Sequence, residues 1–125
     1  MVLITNSTCR KATKVDNEYA GFWVNDNHFY CVRKIEIEQS SSGLYEASGG
    51  GGCNTKSKGK VRVVGNTMYV GGNRLKIISK PYLYNSGDSV TYDGRKHKAM
   101  MKMRLSDHVS GFGRTNIDFY KIKDY

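Results

Sequence analysis

Apolar and polar side chains alternate with a period of two along most of the chain after Tyr19, as they do in strands that bury one face. In residues 29–38 one parity carries Phe29, Cys31, Arg33, Ile35 and Ile37. Later segments alternate in the same way, and turn sequences such as Gly65-Asn66 and Asp93-Gly94 separate them. No segment combines a 3.6-residue period with helix caps. The pattern therefore predicts an all-β protein of about eight antiparallel strands joined by short turns.

Two arrangements of these strands are open, a single up-and-down antiparallel β-barrel and a β-sandwich. We favour the barrel because successive hairpins build it without a long crossover. Residues 1–18 lack a periodic apolar pattern and are interpreted as a flexible N-terminal leader, so residues 19–125 form the single predicted domain. A chain of 125 residues buries enough surface to fold without a metal, and no cofactor is expected. Its apolar runs are far shorter than the roughly 20 residues of a membrane-spanning helix, so no transmembrane segment is predicted.

The inward parity of the strands predicts which side chains would line the interior of a hollow barrel. Most are apolar, and they comprise Phe29, Ile35, Ile37, Val61, Val63, Met68, Leu75, Ile77, Met101, Met103 and Leu105. Arg33 is the exception, because a charged side chain in an apolar interior is costly unless it is paired or hydrogen-bonded. Either Arg33 anchors the acidic group of a ligand, or a β-bulge near Val32 returns it to solvent.

The resulting prediction is a non-catalytic module that binds a small hydrophobic or acidic ligand in its lumen. The candidate ligand-binding residues are Arg33, Phe29, Ile35, Met101 and Met103. The glycine-rich loop of residues 49–52 would then be a mobile cover over the ligand. Phosphate-loop, GxSxG and HExxH sequences are absent, so no enzymatic activity is predicted.

The positive charge of the chain is concentrated in its second half. The sequence has 20 Lys and Arg against 11 Asp and Glu, a net charge of +9. Residues 1–55 hold five basic and six acidic side chains (−1), whereas residues 56–125 hold fifteen and five (+10). Outward parity predicts a basic surface formed by Lys58, Lys60, Arg62, Arg74, Lys76, Lys102 and Arg104. This surface is either an ordinary solvated outer face or, as an alternative function, a binding site for a polyanion, nucleic acid or an anionic envelope.

The three cysteines, Cys9, Cys31 and Cys53, form no CxxC pair, so no zinc site is predicted. The strand position of Cys31 favours a buried thiol, and a Cys31–Cys53 disulfide in an oxidising compartment is the alternative. Cys9 is either a bacterial lipidation cysteine or a free thiol on the leader.

The first predicted strand carries a family resemblance. Gly21-Phe22-Trp23 follows the polar leader and resembles the GxW element that opens the barrels of calycins, the group that includes lipocalins and avidins. The longer string of residues 21–26 and the segment of residues 42–47 are similar to avidin strands. Residues 59–71 resemble a stretch that recurs in small barrels of bacterial envelopes.

This resemblance implies a closed calycin-like barrel and an extracytoplasmic location, whether periplasmic, lipid-anchored or secreted. It also implies structural roles for Trp23, which would pack under the barrel floor, and for Arg114 near the last strand, which would pack against it. Avidins line their pocket with several tryptophans, whereas this chain has a single one. Biotin is therefore not the expected ligand.

Overall fold

The computed structural model describes residues 17–25, 31–49, 54–84, 87, 89–109 and 113–123, which form a short 3₁₀ helix and ten β-strands. The helix spans Asn17–Tyr19, and the strands are β1 (Gly21–Val24), β2 (Cys31–Ile37), β3 (Ser42–Gly49), β4 (Asn54–Val64), β5 (Thr67–Val70), β6 (Asn73–Leu83), β7 (Ser89–Tyr92), β8 (Arg95–Lys98), β9 (Met101–Val109) and β10 (Gly113–Ile122). Residues 1–16, most of the predicted leader, lie outside the described residues.

Eight of these strands close into one antiparallel barrel in the order β1-β10-β9-β6-β5-β4-β3-β2. Neighbouring strands follow each other in the chain with two exceptions: β1 and β10 close the barrel, and the β7–β8 hairpin is inserted between β6 and β9. The predictions of an all-β protein and of an eight-stranded up-and-down barrel are therefore confirmed. We call the end with the β1–β2, β3–β4, β5–β6 and β9–β10 connections the upper end, and the opposite end the lower end.

The core lies inside the barrel, on the parity that the sequence predicts. Burial alternates along the whole of β2, with Cys31, Arg33, Ile35 and Ile37 buried between more exposed residues. The fully buried side chains inside the barrel include Trp23, Ile35, Met68, Leu75, Met103, Leu105 and Phe119. At the lower end the 3₁₀ helix brings Tyr19 into this core, and the indole Nε1 of Trp23 donates a 2.9 Å hydrogen bond to the Tyr19 carbonyl oxygen. Each fully buried side chain of this size stabilises the fold by about 1.5–3 kcal/mol.

The β7–β8 hairpin covers the outer face of the barrel where β1 meets β10. Val90 is 2% exposed and packs with Phe22, Val24 and Ile122 in a second apolar cluster. The ring of Tyr92 meets Phe22 edge-on, with 5.6 Å between the ring centroids. The outward side chains of β1 are therefore buried as well as its inward ones.

Two turn signals of the sequence have different outcomes. Asp93-Gly94 forms the predicted hairpin turn, with φ values of 58° and 77°, and a type I′ turn requires positive φ at both residues. Proline within a strand is typical of an edge or of the end of a strand, but Pro81 lies inside β6, which pairs on both sides. There the pairing of β6 with β9 shifts register between Ser79 and Tyr82, so a residue without an N–H group is tolerated.

The β5–β6 turn lies close against β4 and below its upper end. β4 has eleven residues and β5 has four, so β4 pairs with β5 only along residues 61–64. Just above, the N–H of Gly71 donates to the Lys60 carbonyl oxygen at 3.1 Å. Gly71 has φ +57°, and a Cβ at this position would lie 3.1 Å from the backbone N of Lys58, so only glycine fits here. The upper part of β4 therefore stands above the turn.

Candidate functional site

Arg33 lies on the inward face of β2 at the upper end of the barrel and is 4% exposed. β2 and β3 pair in continuous register from Cys31 to Ile37, which excludes the alternative of a bulge near Val32. The side chain of Asn25, just after β1, accepts a 2.7 Å hydrogen bond from the Arg33 N–H, and the Asn25 N–H donates to the Arg33 carbonyl oxygen at 3.2 Å. The backbone thus holds the Arg33 side chain inside the barrel.

Two side chains from other strands contact the buried guanidinium. Nε of Arg33 donates to the Tyr45 hydroxyl oxygen at 3.1 Å and to Oδ2 of Asp107 at 3.2 Å. The Tyr45 hydroxyl donates to the same carboxylate oxygen, and Oδ1 of Asp107 accepts a 2.7 Å hydrogen bond from the backbone N–H of His108. Burial raises the pKa of the Tyr45 hydroxyl above its ordinary value, and the negative charge of Asp107 raises it further. Tyr45 is therefore a neutral hydrogen-bond donor at physiological pH.

Arg33, Tyr45 and Asp107 line a cavity of about 320 Å³, which we call the upper cavity. Arg74 and His108 line it as well, so among the described residues two arginines and a histidine share the cavity with a single carboxylate. Nη1 of Arg33 is buried and has no hydrogen-bond partner among these residues. A buried donor without a partner costs about 1–3 kcal/mol. Arg33, which lines the upper cavity, therefore has an unused donor on a buried, positively charged side chain.

The apolar residues predicted to bind a ligand lie below the upper cavity. Ile35 and Met103 are 0% exposed, and Met101 packs against the same core cluster. None of the three lines the upper cavity. Phe29 and residues 50–52 of the glycine-rich loop lie outside the described residues. Of the predicted ligand-binding residues, the structure thus brings Arg33 to a cavity and packs Ile35, Met101 and Met103 in the core.

Trp23 and Arg114, predicted to pack against each other, lie near opposite ends of the barrel. Trp23 is opposite Lys121 in the β1–β10 pairing. Arg114 is seven positions (121 − 114) further up β10, which is about 23 Å at about 3.3 Å per residue. Its Nη1 donates instead to the Ser106 carbonyl oxygen at 2.9 Å. The predicted contact is therefore wrong, because β10 begins beside Arg114 at the upper end and reaches Trp23 only near its other end, at Lys121.

The second candidate site is an exposed surface on β4, β5 and β6. Residues 54–84 contain seven basic side chains and no Asp or Glu. All seven are exposed at outward positions, and we call the surface that they form the basic face: Lys56, Lys58, Lys60, Arg62, Arg74, Lys76 and Lys80. Among the described residues no ion pair engages any of them. On β2 and β3, by contrast, Lys34 pairs with Glu36 and Glu46, and the nitrogen–oxygen distance is 3.2 Å in each pair.

Lys102 and Arg104 were predicted to belong to the basic surface, but both pair with a carboxylate. They lie on β9 next to β6, and Asp118 of β10 lies 2.8 Å from Nε of Arg104 and 3.7 Å from Nζ of Lys102. The hydrogen bond to Asp118 raises the pKa of Arg104. Burial is the largest single influence on Lys102 and lowers its pKa, but the charge of Asp118 and the neighbouring tyrosines together raise the pKa. On this side of the barrel, the basic face therefore ends at β6.

Tyr69 of β5 lies between the basic residues of β4 and β6. It is opposite Arg62 on one side and Arg74 on the other. The guanidinium carbon of Arg62 is 4.8 Å from the centroid of the Tyr69 ring, a distance typical of a cation–π contact. The ring is half-buried, and Arg62 covers it.

Cys31 is buried on the wall of the upper cavity and is disulfide-bonded. The structure therefore favours the disulfide over the buried thiol that its strand position indicated. Cys9 and Cys53 lie outside the described residues.

The described residues contain no cluster of His, Cys, Asp and Glu side chains that could hold a metal ion. In the same part of the chain no helix has the length and apolarity needed to cross a membrane.

Sequence reasoning missed both partners of Arg33. Tyr45 and Asp107 were not selected, although the alternation carried a signal for each. Tyr45 has the inward parity of Gly43 and Ala47, and Asp107 has the inward parity of Met103 and Leu105. An acidic residue at an inward position is as unusual as an inward arginine, and the two together indicate a buried ion pair.

Comparison of the chain with protein-family models, with curated proteins and with solved structures found no match. The upper cavity and the basic face are therefore assigned from their own chemistry.

Proposed function

We propose that the protein is a non-catalytic, calycin-like binding barrel that holds a small acidic ligand in the upper cavity. The observation that carries this proposal is that Arg33 lines the cavity and that its buried Nη1 has no hydrogen-bond partner among the described residues. A carboxylate or phosphate oxygen would accept this hydrogen bond, and hydrogen bonds between charged groups are roughly twice as strong as neutral ones. The planar guanidinium also matches the geometry of such oxyanions.

The size and lining of the upper cavity favour an acidic ligand over a hydrophobic one. Its volume of about 320 Å³ is at the small end of the range of roughly 300–1,000 Å³ for ligand pockets. Below it, the fully buried side chains of Ile35 and Met103 occupy the barrel interior. Arg74 at the cavity wall adds a second positive charge. A small anion therefore suits this site better than a long apolar chain.

The hydrogen bonds of Asp107 favour binding over catalysis. Oδ2 accepts from Tyr45 and Arg33, and Oδ1 accepts from the His108 N–H. A general base needs an oxygen that can reach the proton of a substrate, whereas Oδ2, the oxygen beside the guanidinium, accepts two hydrogen bonds within the protein. Asp107 thus suits the role of a counter-ion that holds Arg33 in place.

Two further observations support the calycin-like and extracytoplasmic parts of the proposal. The barrel is closed, and Trp23 of the GxW element is fully buried next to the preceding 3₁₀ helix. The disulfide bond of Cys31 is typical of proteins from oxidising compartments.

Titrations with inorganic phosphate, acetate and succinate test the proposed ligand class. At a concentration of 100 Kd a bound anion stabilises the fold by about 2.7 kcal/mol, which raises Tm by about 10 °C in a domain of this size. We expect such a saturable shift in the wild type and its loss in Arg33→Met. Arg114→Met removes an exposed arginine from the same end of the barrel and should leave the shift unchanged.

A second measurement keeps the test valid if Arg33→Met unfolds. In the wild type, the NMR signal of the Arg33 Nε–H group should move on titration with the anion that stabilises best. The proposal is wrong if no anion of the panel binds, or if Arg33→Met is folded and binds as well as the wild type.

A further inference from the structure

Exposed apolar side chains border the basic face toward the lower end of the barrel. Val64 at the end of β4 is 53% exposed, Ile78 of β6 is 42% exposed and Leu83 at the end of β6 is 72% exposed. Val64 is opposite Thr67, which is opposite Lys76, so Val64 and Ile78 flank this lysine. Single exposed apolar residues are ordinary, but these three lie along one margin of an unpaired cation cluster.

The cations of the basic face are close enough to act together. Alternate residues of a strand are about 6.6 Å apart, so those of β4 extend over about 20 Å, and β6 lies about 10 Å away across β5. Neighbouring cations on one strand are thus separated by less than the Debye length of about 8 Å at physiological salt, and those on β4 and β6 by slightly more. No carboxylate among the described residues forms an ion pair with them. Glu46 lies opposite Lys56 at the β3 edge of the basic face, so an extended anionic surface would meet the strongest positive field over β4 to β6, away from that edge.

From this arrangement we infer that the basic face docks the protein on a membrane surface that contains anionic lipid. The cations bind the headgroups, each strengthening binding about fivefold. Val64, Ile78 and Leu83 enter the interface between headgroups and acyl chains, as the apolar residues of peripheral proteins do. Only Arg74 also lines the upper cavity; the other cations of the basic face lie on the outside of the barrel, and their binding does not depend on a ligand in the cavity.

The aromatic residues of the basic face favour lipid over nucleic acid. Single-stranded nucleic acid binds to exposed aromatic rings on which its bases stack, whereas Arg62 covers the ring of Tyr69. The exposed apolar side chains at the margin are three aliphatic residues and Tyr82, which is 46% exposed. The aliphatic residues suit acyl chains, and tyrosine is enriched at the level of the headgroups. The disulfide of Cys31 also indicates a compartment outside the cytosol, where envelope membranes offer an anionic surface.

Co-sedimentation with lipid vesicles tests this inference. We expect the wild type to bind vesicles of phosphatidylcholine mixed with phosphatidylglycerol and not vesicles of phosphatidylcholine alone, with binding that weakens as salt rises. The triple variant K60A/R62A/K76A should bind on the order of a hundredfold more weakly, at about fivefold per cation. The matched control R95A/K96A/K98A removes three exposed cations from β8, which covers the opposite side of the barrel, and should bind as the wild type does.

A second pair of variants tests the apolar margin. Val64→Ser and Leu83→Ser together should weaken the binding that remains at high salt, where the charges are screened. All substituted side chains are exposed, so melting temperatures close to that of the wild type should show that the variants fold. Equal binding to both kinds of vesicle would overturn the inference, as would equal losses in the two triple variants. Tighter binding to a DNA oligonucleotide than to the mixed vesicles at the same salt would overturn it in favour of a nucleic-acid surface.

Discussion

Arg33 and Asp107 form an ion pair whose members are supported unequally, so removing one should cost more than removing the other. Without Arg33, Asp107 keeps the Tyr45 hydroxyl and the His108 N–H as donors, and its side chain is 13% exposed. Without Asp107, the Arg33 side chain keeps only its contact with Tyr45 among the described residues and is 5% exposed. An isolated guanidinium would therefore be left deeper in the barrel and with fewer partners than an isolated carboxylate.

The magnitudes follow from the burial of each charge. Removing one partner of a buried ion pair costs about 3–5 kcal/mol, and because this pair borders a cavity we expect about 3 kcal/mol for Asp107→Ala. Arg33→Met keeps the apolar stem of the side chain and leaves a carboxylate with two donors, so we expect a cost of about 1 kcal/mol. At about 4 °C per kcal/mol for a domain of this length, Tm falls by about 12 °C and 4 °C, respectively.

Urea and thermal unfolding of the wild type, both single variants and the double variant measure these differences as a double-mutant cycle. We expect the double variant to be more stable than Asp107→Ala alone, because the unpaired guanidinium is gone. The reasoning is refuted if Arg33→Met is as destabilising as Asp107→Ala, or if the double variant loses the sum of the two single costs.

Three further predictions concern other parts of the barrel. The pKa of Tyr45 is raised in the fold, so the contribution of its neutral hydroxyl to stability is complete below about pH 10 and is lost above it. In thermal melts between about pH 9 and 11, Tyr45→Phe should therefore lose less stability than the wild type does. Gly71 and Gly65 have φ of +57° and +59°, but an added Cβ meets the β4 backbone only at Gly71. In urea unfolding, Gly65→Ala should lower the unfolding free energy by about 1–2 kcal/mol, and Gly71→Ala should lower it by more. Val90→Ala, at a residue 2% exposed, should lower the unfolding free energy by about 1–2 kcal/mol, and Val32→Ala, at a residue 37% exposed, should lower it by less.

The fold could be predicted from the sequence because the alternation of apolar and polar residues within each strand identifies the side chains that point inward. β2 shows this in the alternation from Cys31 to Ile37, and Asp93-Gly94 fixes one hairpin by itself. The contact between Trp23 and Arg114 could not be predicted in this way. The register of β1 against β10 is set where the barrel closes, between strands from opposite ends of the chain, and no turn sequence joins them. Register of this kind depends on the shear of the whole barrel.

The upper cavity shows which parts of a site can be predicted from the alternation of inward and outward residues alone. Arg33 and Asp107 are 74 residues apart in the chain, and the inserted β7–β8 hairpin hides the strand order that brings β2 and β9 to face each other. The described barrel strands nevertheless carry only four carboxylates, Glu36, Glu46, Asp107 and Asp118. Three of them alternate with buried neighbours and point outward, whereas Asp107 shares the parity of Met103 and Leu105. Since a buried arginine needs an inward partner, parity applied to both signs of charge selects Asp107 without any knowledge of register. What parity cannot supply is the unpartnered Nη1 of Arg33, because the hydrogen bonds of a buried side chain depend on the positions of side chains from other strands, which alternation within one strand does not determine.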